Sequence, residues 1–164
     1  MGHAQRIPAH TTAKLIPLDD ISDPRLKAAL ELWRSLRAGR PYPAREQMTP
    51  RAMTDFLAHI TLWRRSTDGS DYEYRIMGDR DVAAYGRSMI GLHVSDLDKL
   101  RPGNGSAVKA VLDYVVRKAR PAVSAGWLVT SAALPVYHEM LFLPLGPDDR
   151  TIDHILGVAA HTNV

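Results

Sequence analysis

Leu32-Trp33-Arg34-Ser35-Leu36-Arg37-Ala38-Gly39-Arg40-Pro41-Tyr42-Pro43-Ala44-Arg45 joins the end of an amphipathic helix to a stiff turn set with arginines. Upstream, Asp23-Pro24 opens that helix with an acidic N-cap and a proline at the first helical position. Leu26, Ala29, Leu30, Trp33 and Leu36 recur at three- and four-residue steps, so residues 23–38 carry one apolar stripe. Gly39 can stop the helix, and Pro41 and Pro43 prevent its continuation. A packing helix needs the stripe but not the arginines. Arg37, Arg40 and Arg45 have guanidinium forks suited to carboxylate or phosphate, and they can equally tie the helix end to a sheet through Glu46, Asp79, Glu139 or backbone carbonyls.

Working outward, residues 1–21 read as a flexible tail, polar and interrupted by Pro8 and Pro17. Thr49-Pro50 predicts a second, short helix with Met53, Phe56 and Leu57 on its apolar side. Residues 59–65 and 72–77 read as two strands joined by the turn Ser66-Thr67-Asp68-Gly69-Ser70. Residues 78–100 are cut by Gly78, Gly86 and Gly91 into one-turn pieces such as Asp81–Tyr85 and Ser95–Leu100. Ser106–Lys118 is the clearest helix, with Val108, Val111, Leu112 and Val115 on one face. Three strands follow at 122–130, 136–145 and 152–160, the last two joined by a turn at 146–150. Strands at both ends with helices between them predict an antiparallel α+β domain over residues 22–164.

A chain of 164 residues is long enough for one domain with a real core. It has no cysteine, which excludes disulfides, thiolate metal sites and cysteine nucleophiles. No apolar run approaches the ~20 residues that span a bilayer, and the first 25 residues lack the basic start and apolar core of a signal peptide. The expectation is a cytoplasmic protein without membrane contact. The net charge is +3, but between Glu31 and Arg65 seven arginines face only three acids. That patch suits an anionic partner or a solvated face with internal ion pairs, and nucleic acid is not the favoured partner because such domains carry larger, lysine-rich excess.

The order of elements resembles the PAS fold, in which two strands precede a helical connector and three follow it. Trp33, Leu36, Arg37, Gly39, Arg40, Pro43 and Arg45 resemble the W-x-x-L-R-x-G-R-x-x-P-x-R segment of a bacterial PAS-like family. Tyr74-Arg75-Ile76-Met77-Gly78, Gly91-Leu92 with Asp96-Leu97, and Glu139 in a strand ending Leu143-Pro144-Leu145 add to the resemblance. It implies a five-stranded antiparallel sheet with a helical connector and an extra N-terminal helix. It also implies a sensory or protein-interaction module; with the domain filling the chain to its end, a stand-alone regulatory module acting through protein–protein interaction or dimerisation is expected.

On that footing a small ligand is expected under the connector, held by Arg45, Tyr74, Tyr85, Trp127 and Phe142, although aromatics in strands also serve as plain core. Leu26, Leu30, Trp33 and Leu36 are expected at a homodimer interface, with Arg37 and Arg40 locking the helix–sheet junction. A downstream signalling protein is implied and not identified. A haem would need an axial histidine in 106–118, which has none; His93 is the only substitute, so haem is disfavoured. A cysteinyl–flavin is disfavoured for want of cysteine. His138 and His154 could meet on neighbouring strands, but two histidines make a poor metal site. The pieces at Gly86 and Gly103 lack phosphate-loop spacing. Ser124 and Ser131 lack a nucleophile elbow. Asp79, Asp81, Asp96 and Asp98 could pair as acid and base, although Asp96 reads better as a helix cap. No catalysis is expected. The alternatives are a small α+β enzyme, recognisable by paired carboxylates or a His–Asp dyad in its cavity, and a nucleic-acid adaptor using the arginine patch.

Overall fold

The computed structural model describes residues 12–129 and 135–162. In chain order its elements are β1 (Lys14–Ile16), α1 (Pro24–Arg37), β2 (Ile60–Arg65), β3 (Tyr72–Met77), α2 (Asp79–Tyr85), α3 (Leu97–Leu100), α4 (Asn104–Lys118), β4 (Ala122–Val129), β5 (Pro135–Leu145) and β6 (His154–Thr162). Short 3-10 turns link several of them. The strands form one antiparallel sheet in the order β1-β4-β5-β6-β2-β3. Among the described residues no helix is long and apolar enough to cross a membrane.

Five of these strands are the expected ones, and β1 is a sixth. It corrects the reading of residues 1–21 as tail in its described part. Lys14, Leu15 and Ile16 pair with Ala125, Ser124 and Val123, and Thr12 N donates to Trp127 O at 2.8 Å. Gly126 permits the approach. Its φ is +144°, and a Cβ there would lie 2.7 Å from Ala13 Cα, so any side chain would push β1 off the sheet. Three residues are too short for a readable period, and this strand depends on a partner more than one hundred residues away.

α1 begins as expected, with Asp23 Oδ1 accepting from Arg25 N at 2.8 Å and Pro24 in the first turn. It ends at Ala38, which itself takes the left-handed conformation ahead of Gly39. Leu26, Ala29, Leu30 and Trp33 are buried and Leu36 is half-buried against the same core. The covering surface is the chain's own sheet: Trp33 Nε1 donates to Pro144 O at 2.9 Å, and Glu139 on β5 accepts from Ser22 N, Ser22 Oγ and Asp23 N at 2.9, 2.9 and 3.1 Å. Leu26, Leu30 and Trp33, expected at an interface between copies, are thus buried against the chain's own sheet, and Leu36 is half-buried there. An apolar stripe shows that something covers it and not what, and here β5 and β6 do. Glu139 anchors the helix start through a nearly buried carboxylate. Glu139→Ala is expected to lower stability by about 2–3 kcal/mol, the cost of removing a charge-assisted acceptor from two backbone donors, and urea denaturation measures it.

The second predicted helix is absent. Residues 50–56 run as successive turns, followed by a 3-10 turn at Leu57–His59. Thr49 does cap, accepting from Ala52 N at 3.1 Å. Phe56 then leaves the helical region at φ −137° and buries its ring; burial outweighs the capping signal. α4 starts two residues before the expected Ser106, because Asp98 Oδ1 accepts from Gly105 N at 2.8 Å and Asp98 Oδ2 from Ser106 Oγ at 3.0 Å.

The sheet has two working faces. Along β5, Leu141, Leu143 and Leu145 alternate with Met140 and Phe142. The odd-numbered set shares its face with Glu139 and α1. Met140 and Phe142 look toward the connector α2–α4.

Candidate functional site

Between the inner sheet face and the connector lies an apolar cavity of about 70 Å³. Its aromatic wall is built around Trp63. The Phe142 ring stacks on it at 5.8 Å and 20°, and the Tyr74 ring meets it edge-on at 5.5 Å. Met77, Met89 and Met140 supply adaptable surface, while Leu97, Val108 and Tyr85 close the connector side. Gly157 on β6 leaves the floor open. A Cβ there would come within 2.8 Å of Trp63 and 2.5 Å of the Met140 methyl. The polar lining is Thr61, Arg101 and Asn104, and the last two are half-exposed, so they stand toward solvent.

A β-bulge shapes this wall. The β2–β3 register shifts between Leu62 and Trp63, so that Trp63 pairs with Tyr74 while Thr61 pairs with Met77. Tyr74 and Met77 are three residues apart, and strict alternation would put them on opposite faces. The extra residue turns both inward. Tyr72 Oη donates to Asp113 Oδ1 at 2.7 Å and ties β3 to α4. Burial pushes the Tyr74 hydroxyl up to about 12, so it remains a neutral donor at physiological pH.

Of the five residues expected to hold a ligand, the fold gathers Tyr74, Tyr85 and Phe142 here. Trp127 lies elsewhere on β4 and meets Tyr137 edge-on at 5.8 Å. Arg45 is exposed in a groove on the opposite face of the sheet, beside Met48, Met53 and Ile76. The Pro41–Pro43 turn carries the chain onto that outer face, where Tyr42 is buried and Gly146 N donates to Pro43 O at 3.0 Å. Trp127 and Arg45 are therefore not part of the cavity. Arg37 Nη1 donates to Arg40 O at 3.1 Å and its guanidinium lies 5.7 Å from the Trp33 ring. Arg40 pairs with Asp149 at 3.0 Å, across to the β5–β6 turn. Thr61, Trp63, Met140 and Arg101 went unread in the sequence. Only the alternation of 59–65 hinted at Thr61 and Trp63, and nothing marked Met140 or Arg101.

Beside the cavity sits a buried polar cluster. Asp81 on α2 is 0% exposed and accepts from Thr61 Oγ1 at 2.7 Å. Its other oxygen has no hydrogen-bond partner and lies 3.9 Å from His161 Nδ1. Burial raises Asp81 to about 7, against the lowering effect of the Thr61 bond. Burial lowers His161 to about 4, with His59 and Arg25 adding to the effect, and lowers His138 to about 4, with His161 adding. Near pH 5.5 the pair is thus a carboxylic acid beside a neutral imidazole. His138 faces His161 across β5 and β6 at 6.2 Å between rings and lies 3.5 Å from Ser124 Oγ. The strand partner of His138 is therefore His161. His154 instead pairs with Leu145.

The other acids do not converge. Asp96 accepts from His93 N at 2.9 Å and Asp98 holds the start of α4. His93 is exposed, its backbone pairs with Glu73 in an isolated antiparallel bridge, and it does not line the cavity. Among the described residues no three histidine or carboxylate side chains cluster as a metal site would require. Ser131 and the first half of the expected tail lie outside the described residues.

Comparison with known proteins gives a PAS domain model that matches residues 21–160. Among solved structures, an RNA-binding light-oxygen-voltage receptor superposes with a TM-score of 0.55 at 10% identity over 92% of this chain. The chain spans only 38% of that receptor's length. The light-oxygen-voltage protein of Rhodobacter sphaeroides superposes with a TM-score of 0.50 at 11% identity, over 84% of this chain and 68% of its own. At such identities the likeness is one of fold. No curated protein matches the sequence.

Proposed function

The chain belongs to the PAS domain family, and from that premise we propose that it is a sensory module whose signal is a small aromatic molecule bearing an acidic group. The observation that carries this reading is the Trp63–Tyr74–Phe142 cage with half-exposed Arg101 and Asn104 at its solvent side. Concave apolar walls with a few convergent polar groups are the general form of small-molecule sites. The ring enters the cage, and the guanidinium of Arg101 meets the acid.

The residues do not fit a flavin–cysteinyl group. The chain contains no cysteine, and a cavity of about 70 Å³ is well below the ~300 Å³ at which drug-sized pockets begin. It suits a single ring. Output passes by association with another protein or a second copy, through a surface other than the covered stripe of α1.

Benzoate, phenylacetate and neutral benzyl alcohol test the reading by thermal shift. A ligand that binds only the folded state at 100 times its dissociation constant adds about 2.7 kcal/mol of stability. Benzoate is expected to raise Tm in the native chain and to do nothing after Val108→Phe, which fills the cavity. Arg101→Ala is expected to weaken benzoate about tenfold or more, the worth of a charge-assisted hydrogen bond, and to leave benzyl alcohol unchanged. No shift with any of the three compounds overturns the proposal.

A further inference from the structure

On the face of α2 turned away from the apolar cavity, a polar cleft of about 380 Å³ is lined by Arg25, His59, Arg80, Ala83, Ala84 and His161. Its nitrogen-bearing side chains come from α1, the turn before β2, α2 and β6. Arg25 is shared. Its Nε and Nη2 lie 3.3 Å from the two oxygens of Asp23, and its Nη1 lies 2.6 Å from His59 Nε2. That last contact requires His59 to accept, so its ring is neutral and carries its proton on Nδ1. Arg80 is exposed and makes no hydrogen bond or ion pair among the described residues. The His161 side chain is 8% exposed, and its Nε2 is buried without a hydrogen-bond partner.

A buried imidazole nitrogen with nothing to bond costs free energy. The His161 ring borders a cleft that also presents two guanidinium groups against one carboxylate. A second protein cation has no place in such a setting, whereas an oxyanion answers every donor at once. Donors arriving from three elements suit a tetrahedral group better than a planar carboxylate.

We propose that this cleft binds a phosphate-class oxyanion, either inorganic phosphate or the phosphoryl group of a small monoester, held by Arg25, Arg80 and the Nε2–H of His161. The groups facing His161 are Asp81 and Tyr85 from α2, His138 from β5, His59 and Arg25. With its proton on Nε2, the ring leaves Nδ1 as an acceptor toward Asp81, whose Oδ1 lies 3.9 Å away. The same ring meets Tyr85 edge-on at 5.7 Å, and Tyr85 also lines the apolar cavity. Cleft and cavity are thus separated by one layer of side chains. The cleft stands independently of whatever occupies the cavity.

The test is calorimetry and thermal shift on the full chain with inorganic phosphate, glycerol 1-phosphate and chloride at equal ionic strength. Saturable binding of phosphate or of the monoester, with no response to chloride, is expected, and the tighter of the two identifies the source. Arg80→Gln removes an exposed side chain. It is expected to weaken binding about tenfold, on the scale of one charge-assisted hydrogen bond, with Tm in chloride unchanged. In imidazole 15N spectra the His161 signals are expected to move on titration. Phosphate stabilisation no greater than that of chloride, or equal in the Arg80→Gln variant with His161 unmoved, overturns the proposal.

Discussion

Replacing Trp33 by alanine is expected to lower the unfolding free energy by about 3–5 kcal/mol, the range for emptying a buried aromatic site. The indole is 4% exposed and sits between α1 and β5, where its N–H reaches Pro144 O at 2.9 Å. Truncation removes the ring, opens a cavity and leaves a buried carbonyl short of one donor. It also takes away the face over which the Arg37 guanidinium lies. Such a loss is a large share of the ~5–15 kcal/mol that holds a typical domain. Urea denaturation is expected to show a lower midpoint at unchanged m-value. A loss below about 1 kcal/mol, accompanied by a fall in oligomeric state, would mean that the ring is held by a second molecule instead.

Asp81→Asn is expected to stabilise the protein at neutral and alkaline pH by about 3–4 kcal/mol and to change little at pH 4. Asp81 is raised to about 7 in the fold from an ordinary value of 3.8. The folded state therefore keeps a proton that the unfolded chain has lost, and stability falls as pH rises between those values by about 1.4 kcal/mol per unit. His138 and His161 act with the opposite sign. Both are lowered to about 4 from 6.5, so the unfolded chain binds more protons there and stability rises with pH across that window. In the native protein two rising contributions meet one falling contribution, and stability climbs gently from about pH 4 to 6.5 before turning down. Asparagine keeps an acceptor for Thr61 and removes the falling contribution alone. The difference between variant and native stability is then expected to widen with pH between about 4 and 7. A difference that stays flat across that range contradicts the assignment of a neutral acid at Asp81.

Much of the architecture was legible because it rests on local periods. A three- and four-residue stripe announced α1, an acidic cap and Pro24 announced its start, alternation announced β2 and β3, and strand-like apolar runs announced the three closing strands. Tyr74 and Phe142 were legible as cavity aromatics through the family resemblance, which puts a ligand on the sheet face under the connector. Arg45 and Trp127 were misassigned because both belong to segments whose side of the sheet depends on long connections. The turn of Pro41 and Pro43 could lead to either face, and β4 takes its orientation from β5 and β1. The phosphate-class cleft was illegible because Arg25, His59, Arg80 and His161 share no motif or spacing.

The order of the longer elements and the polarity of α1, α4, β2 and β3 are written within a few residues of one another, so the chain announces them unaided. The rest depends on register and contact at long range. Trp33 meets Pro144 across 111 positions, Ser22 meets Glu139 across 117, and Thr61 meets Asp81 across 20. The β2–β3 bulge turns Tyr74 and Met77 to one side, β5 and β6 cover the stripe of α1, and β-sheet register brings His138 opposite His161. A one-residue slip in any of those pairings would send each side chain to the other face. The cavity, the buried acid and the cleft therefore exist only once the sheet has closed.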